Sequence, residues 1–117
     1  VPQSLQVFKA DLFKALAHPT RIRILERLRE GERSVTELQH ELGLEGPVVS
    51  QQLAVLRAKH IVEGRREGVN VYYSVREPRI FALLDIAREI FANHLLDLQA
   101  MVRAEEEALP SGARSRS

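Results

Sequence analysis

Apolar residues recur every three or four positions through most of this chain, and only one stretch breaks that rhythm. Leu5, Phe8, Leu12, Phe13 and Leu16 fall on one side of a helix predicted over 4–17. Ser4 is its expected cap, and His18-Pro19 interrupts it, because proline disfavours helix at the residue before it. Thr20 is the expected cap of a second helix, TRIRILERLREG, with Ile24, Leu25 and Leu28 inward and an end at Gly31. Ser34 with Glu37 three residues on makes a capping box ahead of SVTELQHEL. That short helix turns Val35, Leu38 and Leu42 inward, and Gly43 stops it. In the fourth helix Pro47 falls in the first turn, Val49, Leu53 and Leu56 form a thin apolar stripe, and the end is near Lys59. The period then changes. IVEGRRE, GVN and VYYSV read as two strands around a turn at Gly68 and Asn70. Near Pro78 a long last helix begins, with Leu83, Leu84, Ala87, Phe91, Leu95, Leu98 and Val102 on one stripe, more than one small domain covers.

The expected fold is therefore mainly α with a two-stranded β-hairpin, in the order helix, helix, helix, helix, hairpin, helix. Residues 1–109 are expected to form one domain and 110–117 a disordered polar tail. Aromatics are only 5% of the chain, so the core must be built of Leu, Ile, Val and Ala. The chain has no cysteine, which removes disulfides and thiolate metal sites together. No apolar run is long enough to span a membrane. The stretch VPQSLQVFKADLFK lacks the layout of a secretion signal, so cytoplasmic residence is expected. Charge is uneven: residues 1–76 carry twelve Lys or Arg against nine Asp or Glu, whereas 77–109 carry three against seven. A polyanion would meet the first part and not the last helix.

Two short helices joined by a glycine turn make a helix-turn-helix. The second must bury one stripe and leave the other face free, and Ser50, Gln51 and Gln52 cannot all be buried without partners. Exposed on a helix, they suit the DNA major groove. Gln bonds N6 and N7 of adenine, Ser bonds several base edges, and Val48 can touch a thymine methyl. Arg57 and Lys59 lie further along and suit phosphates, as do Arg65 and Arg66 on the ribbon. The plainer alternative is that the polar run is a solvated helix face. Another is that this face docks a protein partner and no DNA. No nucleophile–base pair, phosphate-cradling loop or dense carboxylate site argues for an enzyme, and nothing asks for a cofactor.

The segment FKALAHPTRIRILERLREGERSVTELQHELGLEGPVVSQQLAVLRAKHIVEGRREGVNVYYSV resembles the ArsR/SmtB family of winged helix-turn-helix repressors. LAHPTRIRIL, VSQQLAVLR and the wing RREGVNVYYSV match in order and spacing, and the likeness covers about residues 5–105. The resemblance implies a homodimer formed by the first and last helices, with Leu5, Phe8, Leu12, Leu84, Phe91, Leu95 and Leu98 at the interface. It implies a repressor of an inverted-repeat operator in double-stranded DNA, and the signal that releases it is open between a metal, a small organic molecule and no ligand at all. Metal-sensing members carry a Cys pair in the third helix, which VTELQHEL lacks, or Asp and His pairs along the last. Here Asp85 is present, but Ala87 stands where the next ligand falls; His94 and Asp97 share a face at another spacing. Asp85, His94 and Asp97 are thus only minor metal candidates, and no metal site is expected. A metal-responsive repressor using the last helix is the family alternative. His18 is expected to order the helix junction, and His40 and His60 to have local roles.

Overall fold

The computed structural model describes residues 4–109. The polar tail expected at 110–117 lies outside the described residues.

The elements follow the order α1 (Leu5–Leu16), α2 (Pro19–Leu28), β1 (Arg33–Ser34), α3 (Val35–Leu42), α4 (Gly46–Ala58), β2 (Val62–Glu67), β3 (Asn70–Val75) and α5 (Arg79–Ala108). The chain divides into two compact units, one ending at Phe81 and the other beginning at Ala82. No described helix is long and apolar enough to cross a membrane.

Local chemistry explains most of the boundaries. Ser4 caps α1 by accepting from the Val7 amide. The cap of α2 is His18 and not Thr20: its Nδ1 accepts from the Thr20 amide at 3.1 Å. Pro19 takes the first helical position, where its fixed φ suits the helix, so the cap moves to the residue before it. The capping box at α3 is complete, with Ser34 accepting from the Glu37 amide and Glu37 accepting from the Ser34 amide. Gly43 ends α3 at φ 66°, a left-handed conformation that costs an L-residue about 1–2 kcal/mol. At the end of α4 the same conformation falls on His60, at φ 59°. There the Ile61 amide donates to Leu56 and the His60 amide to Arg57, the paired bonds of a Schellman cap.

The sheet departs from the expected two-stranded ribbon. A third strand, β1, joins it, in the order β1-β3-β2, all antiparallel. β1 is two residues long, Arg33 opposite Tyr73 and Ser34 opposite Tyr72. Ser34 thus ends a strand and caps a helix at once. The hairpin turn is Gly68-Val69, tighter than expected, because Asn70 already pairs with Glu67. Gly68 has φ 62°, as the first position of a two-residue hairpin turn requires.

The core of the first unit is aliphatic. Ile24, Leu25, Leu38, Val49, Leu53 and Leu56 are its largest fully buried side chains, with Leu28, Ile61 and Val62 beside them in burial. Apart from Ile61, just before β2, they come from α2, α3, α4 and β2, and α4 packs on the other three. Burying each such side chain contributes about 1.5–3 kcal/mol.

The two left-handed positions predict opposite responses. Gly43→Ala should lower the unfolding free energy by about 1 kcal/mol, and His60→Gly should raise it by about the same amount. Urea denaturation of the two variants checks both signs.

Candidate nucleic-acid interface

The outer face of α4 is defined by what the inner face buries. Val49, Leu53 and Leu56 are fully buried, and each helical step turns about 100°. Ser50, Gln51, Ala54 and Arg57 therefore fall away from the stripe, and all four are exposed. Val48 is exposed as well, on the first turn. Gln52 differs from the expectation. It lies about 60° from Val49, at the edge of the buried stripe, and is only half-buried. Its Oε1 accepts from Arg21 Nη1 at 2.9 Å. Gln52 is therefore not a freely presented amide like Gln51. Ala54 was missed by sequence reasoning, since a methyl group carries no chemistry of its own. Its small size between Ser50 and Arg57 lets the helix approach a surface closely.

α3 and α4 are joined through the Gly43 turn, and Leu44 donates its amide to the Gln39 carbonyl there. Arg23 Nη2 bonds the Leu42 carbonyl at 2.9 Å, satisfying the end of α3 from α2. A half-exposed ionic cluster braces the same elements. Glu41 of α3 accepts from Arg27 of α2 and from Arg33 Nε of β1, both at 2.9 Å. The Arg27 hydrogen bond, then the two guanidinium charges, hold the Glu41 carboxyl below the usual glutamate range.

The ribbon β2–β3 forms the wing. Arg65 and Arg66 are both exposed on β2, opposite Tyr72 and Val71. Their situations differ. Arg65 bonds Glu32 at 2.9 Å and Glu67 at 2.8 Å, and its guanidinium lies 5.4 Å from the Tyr72 ring centre. These hydrogen bonds raise the Arg65 pKa, and the one to Glu32 lowers that carboxyl in turn. Arg66 has no ion pair among the described residues. The partner Glu32 was missed, since it lies 33 residues from Arg65.

Among the described residues no group of three or more His, Cys, Asp or Glu side chains is placed to hold a metal. His94 and Asp97 are exposed on α5, and Asp85 is half-buried. His40 and His60 are exposed, and His18 serves as the α2 cap.

A helix-turn-helix with an exposed polar second helix, followed by a ribbon that carries two exposed arginines, defines a winged helix-turn-helix transcriptional regulator, a class distinct from enzymes. The family model for bacterial regulatory proteins of the arsR family matches residues 18–63. The HTH-type transcriptional regulator Rv0081 of Mycobacterium tuberculosis is 48% identical over 101 residues, covering 86% of this chain and 89% of that one. Its crystal structure superposes with a TM-score of 0.73, covering 82% of this chain and 97% of that chain. A biofilm growth-associated repressor of Xylella fastidiosa is 42% identical over 82 residues, 70% of this chain and 72% of its own. The homodimeric winged helix-turn-helix DNA-binding domain Mb0332 of Mycobacterium bovis, 32% identical, gives a TM-score of 0.69 over 80% of this chain and 94% of its own. The chain belongs to the ArsR family of bacterial transcriptional regulators.

The ion pairs predict an acid response with a definite sign. Glu32, Glu41 and Glu77 all have lowered pKa values, Glu77 to about 2 through its hydrogen bonds from the Arg79 side chain and amide. A lowered carboxylate stabilises the fold above its ordinary pKa near 4.5 and loses that contribution as pH falls through the folded value. The melting temperature should therefore drop between about pH 5 and pH 2, and by less in Glu41→Gln, as thermal scans across that range will show.

Proposed function

We propose that this chain is a homodimeric repressor that binds an inverted-repeat operator in double-stranded DNA. The observation that carries the reading is the division of α4 into a fully buried stripe, Val49, Leu53 and Leu56, and an exposed face of Ser50, Gln51, Ala54 and Arg57. A helix held on one side and polar on the other is what the major groove admits. In this reading Val48, Ser50 and Gln51 contact base edges. Arg57 and Arg66 meet phosphates, and Arg65 joins them if DNA displaces its carboxylate partners.

A second copy of the chain is the occupant proposed for the apolar faces of the first and last helices. On α1 Leu5 and Phe8 are exposed, Phe8 by 58%, and Leu12 is half-buried. On α5 Phe91 is exposed by 65%, with Leu95 and Leu98 exposed on the same stripe and Leu84 half-buried. Exposed aromatic and leucine side chains in such number mark an association surface. Its relatives support both halves of the proposal: one is a repressor, another a homodimeric DNA-binding domain. A two-fold dimer presents two reading helices about 34 Å apart, one turn of duplex. A regulator that meets chromosomal DNA works in the cytoplasm. An inducer, metal or organic, is consistent with the family, and no described cluster favours a metal.

Fragments of the source genome retained by the purified protein in a gel shift give the operator. Binding should fall with salt with a log–log slope of about −3.6, from Arg57 and Arg66 in two copies at about 0.9 each. Gln51→Ala should weaken the selected site by about 1–3 kcal/mol and spare nonspecific binding. Sedimentation should give a dimer. A monomer, or binding indifferent to salt and to Gln51→Ala, contradicts the proposal.

A further inference from the structure

Arg21 stands at the start of α2, between the end of α1 and the middle of α4. Its Nε donates to the Ala15 carbonyl at 2.6 Å and its Nη2 to the Lys14 carbonyl at 3.2 Å. Both carbonyls belong to the last turn of α1, where helical acceptors run short of partners, although the Lys14 carbonyl also accepts from the Ala17 amide. Its remaining arm, Nη1, reaches Gln52 Oε1 at 2.9 Å. One planar guanidinium thus ties α1 and α2 to α4, and its rigid fork sets where Gln52 points.

The bond also settles which way the Gln52 amide faces. Arginine has donors and no acceptor, so the oxygen of Gln52, and not its nitrogen, must face Arg21. The Gln52 nitrogen has no bonded partner among the described residues. No buried side-chain nitrogen or oxygen there lacks a partner, so this nitrogen reaches solvent. Gln52 presents two N–H donors outward and keeps its acceptor inward.

We propose that Arg21 is a positioning residue that makes Gln52 a pure hydrogen-bond donor toward DNA, selecting a pair of acceptors and rejecting adenine. This rests on the operator-binding reading above. Adenine is matched by an amide that accepts from N6 and donates to N7, and an Oε1 turned inward onto Arg21 is not presented to N6. Guanine, with O6 and N7, presents two acceptors side by side, and so do the oxygens of a phosphate. Gln51, exposed and without a described partner, keeps both amide ends for adenine. Two adjacent glutamines thereby carry different chemistry, and a residue that touches no DNA sets the difference.

The test is selection from a random-sequence duplex library by the full-length wild type and by Arg21→Met, Arg21→Lys, Gln52→Met and Arg21→Met/Gln52→Met, with affinity and melting temperature measured for each. Gln52→Met should lose about tenfold in affinity. A loss confined to one guanine per half-site identifies a base contact, and an equal loss for all sequences identifies a phosphate. Arg21→Met should produce a comparable change, letting adenine in where the contact is to a base, and should add nothing in the Gln52→Met background. Arg21→Lys, which keeps a donor for Oε1, should restore most of the wild-type preference. Additive effects of Arg21→Met and Gln52→Met overturn the inference, as does a wild-type preference for adenine at the position that Gln52→Met alters. If Arg21→Met does not fold, that second comparison still decides. A wild type that retains no duplex at all overturns the operator-binding reading itself. A wild type that binds while Gln52→Met binds equally well overturns this inference alone.

Discussion

Burial of three side chains on one face of α4 is the constraint on which the rest of the first unit depends. Val49, Leu53 and Leu56 are sealed among residues of α2, α3 and β2. Losing Leu53 or Leu56 to alanine removes roughly 2–5 kcal/mol, a large share of a small domain's stability. Because the stripe is only three residues long, the side of the helix opposite it, from Ser50 and Gln51 to Ala54 and Arg57, is left on the outside. The polar side chains there are exposed as a consequence of how the helix is held, and its rigidity comes from the same packing.

Around that fixed helix the polar interactions sort into two kinds. One kind braces: Arg23 closes the end of α3, Glu41 joins α2 to β1 and α3, and Arg21 binds the last turn of α1. The bonds from Arg23 and Arg21 replace water at helix ends, where backbone carbonyls would otherwise lack partners. The other kind tunes what faces outward. Glu32 and Glu67 balance the charge of Arg65 while Arg66 beside it is left unbalanced, and Arg21 engages Gln52 while Gln51 is left open. In each pair of adjacent like residues, one is committed within the protein and the other is presented. A run that reads as uniform in sequence is chemically graded in three dimensions.

That grading marks where the sequence ceased to be legible. Helices α1, α3 and α4 could be placed from their letters, because caps, glycine stops and apolar spacing act within four or five residues. The cap of α2 was misplaced by two residues, since Pro19 shifts the boundary and a histidine is an uncommon cap. β1 could not be read at all: two residues have no period, and their strand character comes from pairing with Tyr72 and Tyr73, some forty positions away. The exposed polar face of α4 was legible from the stripe, but the bond that engages Gln52 comes from Arg21, 31 residues earlier. Arg65 and Glu32 are separated in the same way. Local order was visible, and side-chain partnership across the fold was not.

The central claim is that the outer face of α4 enters the major groove in two copies one helical turn apart. Dimethyl sulfate protection on a retained genomic fragment tests it directly, because the reagent marks guanine N7 in the major groove and adenine N3 in the minor. Two symmetric clusters of protected guanine N7 positions, about 34 Å apart along the duplex, are the predicted result. Protection confined to adenine N3, or a single cluster without a symmetric partner, contradicts the claim.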